Sequence, residues 1–300
     1  MTQNAPRRAR FQGASGAVLV AVAWTASWSH LRPWSDFGFF PLWLGYIVMV
    51  DAGVRHRVGR SLLGAGRRTV LTAFLASGAM WWMFELINLR TDNWHYLRAA
   101  PVGPVRFALE SSIDFSTVLP AVLGTAALLS TLLPGPPTDV AGGKELPRFL
   151  PELSVALGAV GVLLTLAQPH YFFPLVWVGP FFVLDGLNAA RGAPSLLASA
   201  YRGSWRPLLV LALAGLTCGV FWEMWNWRSM PKWFYTVPLV PQQRLFEMPW
   251  PGYAGYIPFS WECFAAYILV MSIVRPSTAS AVDGHFLPAR ARQETTSPAR

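Results

Sequence analysis

Runs of apolar residues long enough to cross a lipid bilayer recur along this chain, at 13–29, 37–54, 69–89, 108–133, 152–168, 171–187, 207–227 and 257–274. A helical crossing needs about 20 mainly apolar residues. Helices are the economical choice, because an open sheet in lipid leaves backbone N–H and C=O groups unpaired. The expected fold class is an all-α integral membrane protein of about eight transmembrane helices. Only 13% of the residues are charged, against about a quarter in a soluble domain, so a water-soluble surface is excluded. The 15 Trp and 19 Phe suit aromatic belts at the two membrane interfaces. Pro120 is expected to kink the long fourth run.

The Pro/Gly-rich stretch that opens at Pro134-Gly135-Pro136-Pro137 divides the chain. The expected organisation is a basic N-terminus (1–12), a first four-helix unit (13–133), a linker (134–150), a second four-helix unit (151–274) and a tail (275–300) rich in Ser, Thr, Ala and Arg that is expected to be disordered. Arg7, Arg8 and Arg10 ahead of Gly13–Trp28 resemble a secretory leader. The counterpart of that run in the second half, Leu153–Gln168, cannot be one, which favours an uncleaved first helix. With these crossings, one side carries 17 Lys and Arg and the other 7. Positive residues are retained inside, so both termini are expected in the cytoplasm of a multi-pass cell-membrane protein.

An internal repeat is the most informative pattern. Phe39-Phe40-Pro41-Leu42 recurs as Phe172-Phe173-Pro174-Leu175, and Asp51 as Asp185. Phe84-Glu85-Leu86-Ile87-Asn88-Leu89-Arg90 aligns with Trp222-Glu223-Met224-Trp225-Asn226-Trp227-Arg228, Trp94-His95-Tyr96 with Trp233-Phe234-Tyr235, and Phe115-Ser116 with Phe259-Ser260. The order is kept. Four crossings per unit would insert both copies the same way up, giving two tandem repeats in parallel topology with a pseudo-twofold along the membrane normal.

A carboxylate inside a membrane helix costs about 2.5–3.5 kcal/mol on insertion scales and needs a partner, a water path or a use. Glu85 and Glu223 are the foremost catalytic candidates, with Glu262, which breaks the repeat, as a third. Asn88 and Asn226 follow one turn later on the same face, and Arg90 and Arg228 are close enough to reach back to the glutamates or snorkel outward. Arg106, Glu110 and Asp114 share one face of the fourth helix. The second half answers with Arg244 and Glu247, and these nine residues are the candidate substrate-binding set. The competing structural reading makes the Glu/Asn/Arg pairs helix-end ties and gives Glu262 a hydrogen bond to Asn226 or an indole. Asp51 is expected to form a helix salt bridge with Arg55. The aromatic outer loop Met230–Ile257 would either cap the cluster or lie on the interface.

The two Cys, Cys218 and Cys263, sit in separate apolar runs, and no metal-ligand spacing is present. The net charge of +9 comes without a nucleic-acid-binding motif. There is no DDxxD or Walker A motif, and the cofactor is unknown. Balanced outer-side acids and bases argue against a cation pore, which would carry an acidic excess. The expected partners are membrane lipids. Three functions are open: a membrane-embedded enzyme acting on a lipid or isoprenoid amphiphile, a transporter or lipid carrier, and an assembly subunit without a small-molecule site.

Overall fold

The computed structural model describes residues 4–133, 146–241 and 243–274. The expected tail and most of the expected linker, with Lys144, lie outside the described residues. Helices dominate. The first half comprises α1 (Asn4–Trp28), α2 (Phe39–Val58), α3 (Arg67–Thr91), α4 (Pro104–Phe115) and α5 (Val118–Leu132). The second comprises α6 (Phe149–Ala167), the short α7 (Pro169–Phe172), α8 (Gly179–Ala190), the short α9 (Leu196–Tyr201), α10 (Arg206–Trp227) and α11 (Tyr256–Val274). Strands β1 (Trp94–Leu97), β2 (Lys232–Tyr235), β3 (Arg244–Leu245) and β4 (Met248–Pro249) correct the purely helical expectation. They lie in loops, where the backbone groups of an extended segment are paired with a partner strand.

Six helical segments among the described residues are long and apolar enough to cross a membrane. They are Arg67–Thr91, Pro104–Leu132, Phe149–Ala167, Pro169–Ala190, Arg206–Trp227 and Trp250–Val274. The expected crossings at 13–29 and 37–54 correspond to α1 and α2, which are 25 and 20 residues long. Neither is among the six, because Trp, Ser and Gly dilute α1, and α2 carries Asp51 and ends in Arg55, His56 and Arg57. The fourth run is broken at Ser116–Thr117 rather than bent at Pro120. Proline clashes with the carbonyl four residues earlier, which is that of Ser116. The interruption therefore precedes the proline by one turn.

Helix α1 packs on α2, and α6 on α8, through glycines that admit backbone against backbone. A Cβ at Gly16 would stand 2.7 Å from the Gly45 carbonyl oxygen, and one at Gly179 would stand 3.0 Å from that of Gly158. At the centre, α5 packs on α2, α3 and α10, while α11 packs on α8, α10 and α3. The last long helix of each half thus touches the third helix of the other. Large side chains with almost no exposure, among them Trp43, Phe84, Leu119, Leu211, Phe259 and Tyr267, fill this core.

Asp51 and Asp185 tie down the loops that follow their helices. Asp51 accepts from the Leu63 N–H, the Ser61 hydroxyl and Gln12, each at 2.8 Å. Asp185 accepts from the Leu196 and Leu197 N–H groups at 2.9 Å and the Ser195 hydroxyl at 2.7 Å. The expected Asp51–Arg55 bridge is absent among the described residues. Backbone N–H groups with no other acceptor take the carboxylate instead.

Candidate functional site

Each Glu/Asn pair organises the turn from a long helix into a strand. The Asn88 side-chain amide donates to the Trp94 carbonyl at 2.7 Å, and its oxygen accepts from the Asn93 N–H at 2.9 Å. Asn226 donates to the Trp233 carbonyl at 2.8 Å and accepts from the Trp233 N–H at 2.9 Å. A carboxamide holds both ends of this tie because it is donor and acceptor at once. The two strands so launched pair antiparallel, with Trp94 opposite Tyr235, His95 opposite Phe234, Tyr96 opposite Trp233 and Leu97 opposite Lys232.

The glutamates accept hydrogen bonds from aromatic side chains on and beside these strands. Glu85 Oε1 accepts from the Trp81 indole at 2.9 Å, the Trp94 indole at 3.1 Å and the Tyr96 hydroxyl at 2.6 Å. Glu223 Oε1 accepts from the Tyr235 and Tyr256 hydroxyls, both at 2.7 Å. Its Oε2 is buried with no hydrogen-bond partner among the described residues. Burial and the facing carboxylate hold the Tyr96 and Tyr235 hydroxyls well above their ordinary pKa, so both remain neutral donors. Tyr256 reaches Glu223 because α10 has Gly215 and Gly219 on the facing side. A Cβ at either position would collide with Tyr256.

These aromatics wall a cavity of about 490 Å³ at the strand-bearing end of the bundle. Trp81, Trp94, Tyr96, Phe115, Trp177, Trp222, Trp233, Tyr235, Tyr256 and Phe259 line it. The loop Met230–Ile257 contributes Lys232, Val237, Met248, Pro249, Pro251 and Gly252 to its wall. Polar lining is sparse, with Asn93, Arg98, Ser111, Asp114 and Lys232 its main members. Neither Glu85 nor Glu223 lines the cavity; they stand one layer behind the residues that do. No family model matches this chain, and no curated protein and no solved structure matches it.

Two ionic clusters flank the polar lining. Glu110 holds Arg98 at 2.7 Å and Arg106 at 2.6 Å. Glu247 pairs with Lys232, and Arg244 stands 3.9 Å from its other oxygen. Asp114 is half-buried at the cavity surface, facing Arg98 and the Phe40 backbone amide.

Of the two courses open to Arg90 and Arg228, reaching back to the glutamates or snorkelling outward, the side chains take the outward one. The first donates to the Ala167 carbonyl at 3.4 Å, and the second lies over the Trp28 and Trp227 rings at 5.8 and 5.9 Å. Snorkelling toward the helix ends costs an exposed guanidinium less than entering an apolar interior. Glu262 does not bond Asn226, whose amide is spent on Trp233. Its carboxyl is fully buried, with neither oxygen hydrogen-bonded among the described residues, and it does not line the cavity. Arg98, Lys232 and Tyr256 belong to the site and were not among the candidates. Arg98 and Lys232 flank the repeated Trp-x-Tyr motif, which was the available signal for them. Nothing in the sequence brings Tyr256 to Glu223.

Proposed function

We propose that this chain is a membrane-embedded enzyme acting on a lipid or isoprenoid amphiphile whose apolar part enters the aromatic cavity. The observation that carries this reading is how the lining is sorted. Rings and prolines make up most of the wall, while Asp114, Arg98 and Lys232 supply its charges. Ligand pockets are mostly apolar with a few placed polar groups, and a hydrocarbon chain with a polar head has that same division. Within the proposal, Asp114 is the carboxylate able to touch substrate, as a general acid or base. Glu85 and Glu223 are positioning residues, acting through Tyr96, Tyr235 and Tyr256. Asn88 and Asn226 fix the strands that carry those tyrosines.

The proposed setting is a cell membrane, with eight crossings, cytoplasmic termini and two tandem four-helix units related by a pseudo-twofold. Support for the duplication comes from the strand register. A twofold through the His95–Phe234 pair exchanges Trp94 with Trp233 and Tyr96 with Tyr235, the residues that the repeated motif equates. The paired Glu–Tyr and Asn–strand hydrogen bonds follow the same exchange.

The test is extraction of the purified protein followed by mass spectrometry of bound lipid. Ser111, small and buried on the cavity wall, becomes an obstruction as Ser111→Trp. That variant should fold and lose the bound amphiphile. Asp114→Asn should retain it but abolish the change in membrane lipid composition that overproduction of the parent protein causes. An unaltered lipid complement in Ser111→Trp would refute the reading.

A further inference from the structure

We infer that the polar lining of the cavity binds an oxyanion head group, a phosphate ester or a carboxylate, between Arg98 of the first half and Lys232 of the second. This rests on the reading of the cavity as an amphiphile site. The strand register places Leu97 opposite Lys232, so Arg98, the next residue, emerges at the same end of the sheet. Both side chains line the cavity.

Charge sets the sign of the ligand. Arg98 shares Glu110 with Arg106, and Lys232 shares Glu247 with Arg244. Each cluster therefore keeps one formal positive charge. Asp114 is the one carboxylate among the lining residues, set against these two positive clusters, so the polar end of the cavity favours an anion.

Hydrogen bonding sets the geometry. Glu110 occupies Nη1 of Arg98, while the Nε–H is buried and has no acceptor among the described residues. A buried donor without an acceptor is costly, and the guanidinium fork matches an oxyanion in shape. A head-group oxygen at the Nε side would supply what the protein does not. The stacking of Arg98 on Phe107, 5.3 Å from its centroid, holds the fork in place.

The experiment titrates the purified full chain, in a neutral detergent, with four probes of equal chain length: an alkyl methyl phosphate, a fatty carboxylate, an alkyl phosphate monoester and a fatty alcohol. Tryptophan fluorescence of the cavity wall reports binding. At least one monoanion should bind about tenfold or more tighter than the alcohol, the scale of one charge-assisted hydrogen bond; the stronger of the two identifies the source. The monoester should likewise bind more tightly than the alcohol. Arg98→Gln and Lys232→Gln should each remove most of that preference and leave alcohol binding unchanged. Arg98→Lys, which keeps charge and loses the fork, should also weaken it. Glu110 keeps Arg106 and Glu247 keeps Arg244, so these variants do not strand a carboxylate; thermal melting checks their folding. If all probes bind alike in the parent and the Gln variants while Ser111→Trp abolishes binding, the head-group inference fails and the amphiphile cavity stands. If Ser111→Trp binds every probe as the parent does, the cavity reading itself falls.

Discussion

Glu223 offers the most direct trial of how this site is held together. In Glu223→Ala, the Tyr235 and Tyr256 hydroxyls lose the acceptor they share at 2.7 Å. Tyr235 still accepts from the Trp233 indole at 2.8 Å, and one of the two neighbouring tyrosine hydroxyls can donate to the other, which leaves one proton without an acceptor. A buried polar group left unsatisfied costs about 1–3 kcal/mol, and the lost charge-assisted bonds to the carboxylate add to it. In Glu223→Gln the carbonyl oxygen keeps both tyrosines, and the new amide takes the place of Oε2, which has no partner among the described residues. The loss is then confined to charge assistance and one unsatisfied amide, about 1–3 kcal/mol. The expected order is parent above Gln above Ala. Reversible unfolding in mixed detergent micelles gives the free energies, and a double-mutant cycle of Glu223→Gln with Tyr256→Phe isolates the shared hydrogen bond. Glu223→Ala within about 1 kcal/mol of the parent, or no coupling in the cycle, would refute the claim that Glu223 positions the tyrosines.

Gly219→Ala should push the Tyr256 ring off α10, at a cost of about 1–3 kcal/mol for overpacking. It should alter the fluorescence of Trp222, whose ring stacks 6.0 Å from that of Tyr256; an unchanged spectrum and melting temperature would count against it. For topology, a lone cysteine at Gly64 should resist an impermeant thiol reagent in intact cells, and one at Ala99 should react, in a background lacking Cys218 and Cys263; the reverse pattern would invert the orientation. The Tyr96 and Tyr235 hydroxyls have folded-state pKa values raised above the ordinary 10.0. The stability they confer is therefore complete below about pH 10 and is lost as pH rises toward the raised values. Melting temperature against pH should fall above about pH 10, and replacing both tyrosines by Phe should flatten that fall.

Much of the architecture is local and was therefore legible in the sequence. Apolar run length decides which segments are helices long enough for a bilayer, because the backbone must satisfy its own hydrogen bonds there. Six such segments are present among the described residues. The repeated Phe-Phe-Pro-Leu, Glu-x-x-Asn and Trp-x-Tyr motifs marked the residues that build the cavity and its supports. Periodicity also placed Arg106 and Glu110 on one helix face, where they are found bonded.

What tertiary structure decided is where each charge goes. From sequence spacing, Arg90 and Arg228 were as available to the glutamates as Tyr96 and Tyr235. The antiparallel strand pair brings the tyrosines inward and leaves the arginines at the helix ends, so tyrosine hydroxyls and not guanidinium groups meet the carboxylates. Arg98 and Lys232 are separated by more than a hundred residues and become neighbours only when the strands of the two halves pair. Tyr256 reaches Glu223 only because α11 crosses α10 where Gly215 leaves room for its backbone carbonyl and Gly219 for its ring. Side-chain partners across a bundle depend on helix crossing and strand register, which are collective properties of the packed chain. Hydropathy and spacing along one segment carry no record of them.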